Sequence, residues 1–348
     1  MGPALLIDRV VKISFLVAFA IGFVLGCGQK EAQDGAVDRP LKVGYVVNYM
    51  SHEWYQNICT AAADRALELG VDLVIADANL DVAAQVSTAE NLMAQQVDVL
   101  VLTPVDARAL DALVRQAREQ GILVVTESSP VEGSHTYVGI DDRESGKKAA
   151  RWFVEYARAR AIDPRVLIVG HPVFETSRRR AEGFREGLAE SGMAYEIKQE
   201  IDGQGLKEKV FLAAQNALTA HPDINVIFGI NDDSTTGAMA AYKAAGLDEA
   251  ALTAIGFGFE GSVGQDALMG DTPYKAALAM FPNFVGVSLI DAAVALGKGV
   301  EFPAHYEMPT KMITPENFYT FYRQQGDGFA MNYPAIRRLM KWSASELK

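Results

Sequence analysis

The chain has only two cysteines in 348 residues, Cys27 and Cys59. If Cys27 is modified, one thiol remains and no internal disulfide can form. Basic residues are in deficit, 32 Lys and Arg against 44 Asp and Glu, for a formal net charge of −12. That balance argues against nucleic acid, whose affinity comes largely from cations on phosphates. The five histidines are scattered, and no His/Cys cluster has zinc spacing. There is no G-x-S-x-G elbow for a nucleophilic serine. "GFGFEG" lacks the third glycine spacing of a phosphate loop, and "INDDSTTG" lacks the alternating carboxylates and terminal Glu of a calcium loop. Carboxylates are plentiful, so a glycosidase pair is not excluded by counting. These absences argue against an enzyme and against a cofactor or a metal.

Long apolar runs are also lacking, with one exception. Ile13 to Leu25 is a thirteen-residue apolar stretch behind Arg9 and Lys12, and it stops at Gly26-Cys27. It is shorter than the roughly 20 residues that span a bilayer. A basic start, a short apolar core and a small residue at the break are the grammar of an export signal. Val24-Leu25-Gly26-Cys27 resembles a bacterial lipobox, in which cleavage precedes a lipid-bearing cysteine. The alternative is an uncleaved anchor with an incidental cysteine. Either way the rest of the chain is expected outside the cytoplasm, with lipid at Cys27 as an anchor. Cys59 sits in a helical pattern and reads as a small buried apolar residue. A nucleophilic Cys59 has nothing near it in sequence to lower its pKa.

Composition is that of a globular protein, 49% apolar and 22% charged, which excludes a disordered chain. Removing residues 1–26 leaves enough chain for two ordinary domains. Residues 27–40 are polar and end in proline, which suits a tether. From Leu41 onward short apolar runs alternate with helical spacing. Strands are expected at Leu41–Val47, Val71–Ala76, Val97–Leu102, Ile122–Thr126 and Tyr137–Ile140, with helices between them. The pattern then repeats, with strands at Arg165–Val169, Tyr195–Glu200, Val226–Ile230, Ala254–Phe257 and Tyr274–Phe281. Such alternation implies right-handed βαβ units around parallel sheets. The fold class is therefore α/β: two doubly wound parallel-sheet lobes, with switch points near Ile140 and Met280. In such sheets ligands bind beyond the carboxyl ends of strands.

The residues at those ends carry a resemblance. "LKVGYVVNYMSHEWYQNI" is similar to the opening of type I periplasmic binding proteins of the ribose-binding branch. "YVGIDDRESGKKAA", "RRRAEGFREGL", "LTAHPDINVIFGINDDSTTGAMAA" and "AIGF" follow in the family's order, over roughly residues 41–315. The resemblance implies a three-crossover hinge, the third crossing near Met308. It places residues 41–140 with 281–306 in one lobe and 141–280 with 307–348 in the other.

It also implies a ligand site. Trp54 and Tyr55 stand where the family sandwiches a sugar ring, whose C–H faces pack on aromatic planes. Both also suit the core of a first helix. Asn48 and His52 match polar ligand positions, although a lone histidine is more often a surface residue. Arg178 matches the arginine that forks onto hydroxyls. Arg180 is the alternative, since Arg178-Arg179-Arg180 also reads as a basic turn. Asn231 matches the family asparagine, or caps the helix it precedes.

Three positions depart from the family. Ser128-Ser129, with Glu127 just before, stands where an Asp-containing pair is usual. The aromatic–Asp pair becomes Phe257-Gly258, or Phe259-Glu260 in a shifted register. The usual glutamine becomes Met280. These changes argue against ribose itself and for a less hydroxylated or differently read ring. Ser-Ser-Pro also resembles the family member that receives the autoinducer-2 furanose signal.

The expected function is capture of a small sugar-like solute, a monosaccharide, polyol or furanose, for an ABC importer. The alternatives are a periplasmic receptor coupled to a membrane sensor and a hydrolase acting on a small sugar. The expected partners are that ligand and an ABC permease or membrane sensor, with no nucleic acid and a monomeric chain. A repressor of related fold is disfavoured, because the residues before Leu41 are a signal and tether and not a helix-turn-helix.

Overall fold

The first strand, β1 (Lys42–Val47), is buried at every position after Lys42. A strand apolar on both faces belongs inside a parallel sheet covered by helices on both sides. The computed structural model describes residues 39–342 and residue 347. The expected signal (1–26), the lipid site Cys27 and most of the tether lie outside the described residues. Among the described residues no helix is long and apolar enough to cross a membrane.

The chain alternates from β1 through α1 (Glu53–Leu69), β2 (Asp72–Asp77), α2 (Val82–Ala94), β3 (Val99–Leu102), α3 (Asp111–Glu119), β4 (Leu123–Glu127) and β5 (Thr136–Gly139). It then runs through α4 (Asp142–Ala159), β6 (Arg165–Gly170), α5 (Glu175–Glu190), β7 (Glu196–Asp202), α6 (Lys207–Ala220), β8 (Val226–Gly229), α7 (Asp232–Ala244), β9 (Thr253–Gly258), α8 (Ser262–Met269) and β10 (Tyr274–Ala279). Four of the helices begin on side-chain caps that satisfy otherwise orphaned amides. His52 caps α1, Asp81 caps α2, Asp141 caps α4 and Asn231 caps α7. Gly70, in the left-handed region at φ 67°, closes α1.

Two six-stranded sheets result. The first has the order β11-β5-β4-β3-β1-β2, completed by β11 (His305–Glu307), and is parallel throughout. The second has the order β12-β10-β9-β8-β6-β7, with β12 (Lys311–Ile313) as its antiparallel edge. The fold is therefore the expected pair of α/β lobes joined by crossovers. The chain passes between the sheets at Ile140, at Met280-Phe281 and at Met308, as the switch points and the third crossing had suggested. At the second passage Phe281 adopts φ 55°, an unfavourable conformation for a bulky residue. Pro282 then opens α9 (Pro282–Gly297), which packs on α1 and against β3, β4 and β5.

Helices α4 and α5 cross at glycines. A Cβ on Gly146 would run into the carbonyl of Arg180, and one on Gly183 into that of Arg143. This close approach brings the first turn of α4, with Asp142, against the guanidinium of Arg180.

The C-terminal stretch was not legible in sequence. Helix α10 (Phe318–Phe321) leads into a hairpin of β13 (Tyr322–Gln325) and β14 (Gly328–Met331), followed by α11 (Tyr333–Arg337). Phe318 and Tyr322 pack on Phe259 beside the second sheet. The Tyr333 ring then packs tilted, 4.9 Å from Phe284 of α9, and Trp342 packs 4.7 Å from Phe302. The tail thus returns to elements of the first sheet, whereas residues 307–348 had been assigned to the second lobe.

Candidate functional site

Both sheets reverse strand order beside their first strand, between β1 and β3 and between β6 and β8. Loops diverge at such points and leave a crevice. The crevices of the two sheets share one cavity of about 340 Å³. Its wall is built from residues just after β1, β4, β5, β6, β7, β8 and β9. The volume suits a small ring rather than a macromolecule.

The first lobe supplies aromatics and amides. Asn48 follows β1 and is buried; its Nδ2 donates to the Tyr55 hydroxyl at 3.0 Å. Its Oδ1 is buried with no hydrogen-bond partner. His52, Trp54 and Tyr55 line the cavity at the start of α1. His52 Nδ1 accepts the Trp54 amide at 3.1 Å, so its ring is fixed by capping. Burial lowers its pKa, and the imidazole is neutral at physiological pH.

Glu127, the last residue of β4, sits at the centre of a buried chain of hydroxyls. Thr103 Oγ1 donates to its Oε2 at 2.9 Å. The single Thr103 proton is thereby used, so the Tyr45 hydroxyl donates to Thr103 at 2.9 Å. Ser128 Oγ donates to Oε1 at 2.7 Å. Burial pushes the Glu127 carboxyl up to about 7, while those two hydroxyls hold it down. Ser128 has φ 61°, so β4 ends in a strained turn at the cavity wall.

The second lobe supplies charge. Arg180 Nε donates to Asp142 Oδ1 at 2.7 Å, and its Nη1 to the Ile230 carbonyl at 3.1 Å. The guanidinium lies 4.6 Å from the Phe257 ring centroid. Burial raises the Asp142 pKa and Arg180 lowers it. Asp232 accepts from the Tyr274 hydroxyl at 2.7 Å and from the Glu260 amide at 3.1 Å. It thereby fixes the turn that aims Glu260 into the cavity. Burial is the main cause that pushes both Asp232 and Glu260 up to about 7. Asn57 of α1 reaches across the cleft to the Glu260 carbonyl at 3.4 Å.

Of the eleven expected site residues, Asn48, His52, Trp54, Tyr55, Ser128, Asn231 and Glu260 line this one cavity. Asn231 does so while also capping α7: its Oδ1 accepts the Ser234 amide and its Nδ2 donates to the Gly205 carbonyl. The cap and a place on the cavity wall therefore coexist at that residue. Four expected residues lie off the wall. Arg178 points to solvent and pairs with Glu182 at 2.7 Å, because it stands on the outer face of α5. The alternative, Arg180, is the inward arginine. Phe257 is fully buried beneath Arg180 and Phe259 is fully buried against Phe318 and Tyr322, so of the two alternative pairs only Glu260 faces the cleft. Met280 is packed in the core of the second passage, and the Ser129 amide turns back to the Glu127 carbonyl at 2.6 Å.

Sequence reasoning did not select Glu127, Asp142, His171, Phe174 or Gln204–Leu206, all on the wall. The strand-end rule could have found the residues after β6 and β7. Cys59 is buried, and burial pushes its thiol up to about 12, which leaves it inert.

The family model described as "Periplasmic binding protein domain" matches residues 43–301. The chain belongs to that family. The ribose import binding protein RbsB of Bacillus subtilis is 25% identical over 309 residues, covering 87% of this chain and 98% of the relative. The D-xylose-binding periplasmic protein of Escherichia coli is 26% identical over 300 residues, covering 80% of this chain and 86% of the relative. The solved Caulobacter myo-inositol binding protein, bound to myo-inositol, superimposes with a TM-score of 0.70 at 26% identity, over 80% of this chain and 94% of that one.

Proposed function

We propose that the protein is an extracytoplasmic solute-binding protein that captures a sugar or polyol between its lobes for an ABC importer. One observation carries this reading. A single cavity joins an aromatic pair on one lobe to an arginine and a carboxylate on the other. Trp54 and Tyr55 offer apolar planes to the C–H faces of a ring. Arg180, Glu260, Asn48 and Asn231 offer donors and acceptors to its hydroxyls. Ser128, Glu127 and His52 complete the contact set, with Arg180 in the place expected for Arg178. Relatives named for ribose, xylose and myo-inositol support the ligand class.

Closure rests on the hinge. Three passages and the returning tail link the lobes, so ligand contacts on both sides favour the closed form. Calorimetry with a panel of pentoses, hexoses and cyclitols tests the binding. Solution scattering with the best of them tests closure. No heat with any member, or an unchanged radius at saturation, would refute the reading.

The signal at residues 1–26 and a lipid at Cys27 would hold the chain, as a monomer, at the outer side of a membrane. Cys27→Ser should release the protein to the soluble fraction or leave an uncut precursor. An unmodified Cys27 in the membrane fraction would refute the anchor.

A further inference from the structure

The cavity is short of positive charge. Three carboxylates line it, Glu127, Asp142 and Glu260, with one arginine. Arg180 is already committed to Asp142 and the Ile230 carbonyl. Glu127 takes protons only from the hydroxyls of Thr103 and Ser128. His171 is paired with Asp202 at 3.1 Å.

Glu260 is the exceptional member. Its side chain is 12% exposed, and its nearest basic group is His52 Nδ1, at 3.9 Å. That nitrogen is spent, because it accepts the Trp54 amide with its lone pair. A ring nitrogen that accepts carries no proton, so it has none to donate to Glu260. Burial keeps His52 neutral, which removes the charge as well. Among the described residues, then, the Glu260 carboxylate accepts no hydrogen bond and has no cation in contact; the Arg180 charge acts on it only from beyond 4 Å. A second, independent acceptor stands on the opposite lobe. Asn48 is 5% exposed, lines the same cavity, and its Oδ1 has no partner. Buried acceptors left in this state are costly unless a ligand supplies the protons.

We propose that the ligand is a polyhydroxylated ring bearing a protonated amine, and that Glu260 is the counter-ion of that amine. The inference rests on the sugar-or-polyol reading above and narrows it. A neutral polyol would meet the hydrogen-bond need of Asn48 but would bring no cation to hold Glu260, whose carboxyl burial pushes up to about 7, in its charged form. An ammonium meets both needs, since it brings several donors and one positive charge. The indole of Trp54, on the same wall, offers the cation a π face as well.

The test pairs neutral rings with their amino counterparts. Calorimetry at neutral pH compares glucose with glucosamine, galactose with galactosamine and myo-inositol with an aminodeoxyinositol. The N-acetylated forms serve as uncharged controls of similar bulk. The expected result is at least one amino ring bound about tenfold or more tighter than its neutral and N-acetyl partners. In Glu260→Gln that ratio should fall close to one. A neutral ring that binds as tightly as its amino counterpart overturns the amine and leaves the sugar-binding reading standing. An amino preference that survives in Glu260→Gln overturns the assignment to Glu260. No binding by any ring overturns both readings together.

Discussion

Replacing Arg180 by methionine should be the most revealing single perturbation of the ligand-free protein. Its guanidinium donates to Asp142 at 2.7 Å and to the Ile230 carbonyl at 3.1 Å, with the side chains 14% and 7% exposed. Solvent screening is therefore weak. Removing one partner of a buried pair typically costs about 3–5 kcal/mol, because the remaining charge is left uncompensated. The Ile230 carbonyl also loses a donor, but the two losses are not additive. Methionine would recover part of the contact with Phe257 through its thioether. The expected destabilisation is about 3 kcal/mol by urea unfolding at neutral pH. Asp142 supplies the sign of the pH effect. Its folded pKa is already raised by burial and would rise further without Arg180. A raised carboxyl means that the native state binds the extra proton, so the penalty shrinks as pH falls. Arg180→Met should therefore look milder at about pH 5 than at about pH 8. Adding Asp142→Asn should restore more than about 1 kcal/mol, since no charge is then stranded. Arg178→Met, at an exposed i,i+4 pair with Glu182, should cost less than about 0.5 kcal/mol. The reasoning fails if Arg180→Met costs less than about 1 kcal/mol, or if the double variant is no more stable than the single one.

Three further outcomes are expected. Trp54→Ala should weaken ligand binding by about tenfold in calorimetry while near-ultraviolet dichroism shows an intact fold; unchanged affinity would remove the indole from the site. Gly146→Ala should cost more than about 2 kcal/mol, because its Cβ would meet the Arg180 carbonyl and the Phe184 amide at the α4–α5 crossing. Gly328→Ala, with nothing within 4 Å of its Cβ, should stay near the parent, and equal losses would contradict the crossing argument. The ligand-free protein should lose more than about 1 kcal/mol of stability as pH rises from about 5 to about 8. Glu127, Asp232 and Glu260 are each pushed up to about 7, so the native state holds protons that the unfolded chain releases. Burial lowers His52 and His135, which pull the opposite way, but three strongly raised carboxyls outweigh them. Melting temperatures that climb over that range would show that these carboxyls are not protonated in the fold.

The sequence by itself determined the lobes. Short apolar runs separated by helical spacing can bury both faces only in parallel sheets, so β1 to β10 and their helices, α8 excepted, were legible without a contact map. Strand-end logic, with the family resemblance, also found Asn48, Trp54, Tyr55 and Asn231, because a residue following a strand in such a sheet has few other places to go. Tertiary structure alone decided which way ambiguous neighbours point. Arg178 and Arg180 are two positions apart on α5, about 200° around the helix. Only the glycine crossing with α4 turns the second inward onto Asp142 and the first to solvent. Phe257 and Glu260 were likewise undecided until Asp232 held the Glu260 amide and fixed the turn after β9. The C-terminal tail carries no period of either kind. It is specified by ring-on-ring contacts of Phe318, Tyr322, Tyr333 and Trp342 with residues far away in sequence. Local pattern encodes a residue's own element and face. It does not encode the partner in space, such as Asp142 against Arg180 or Asn57 across the cleft from Glu260.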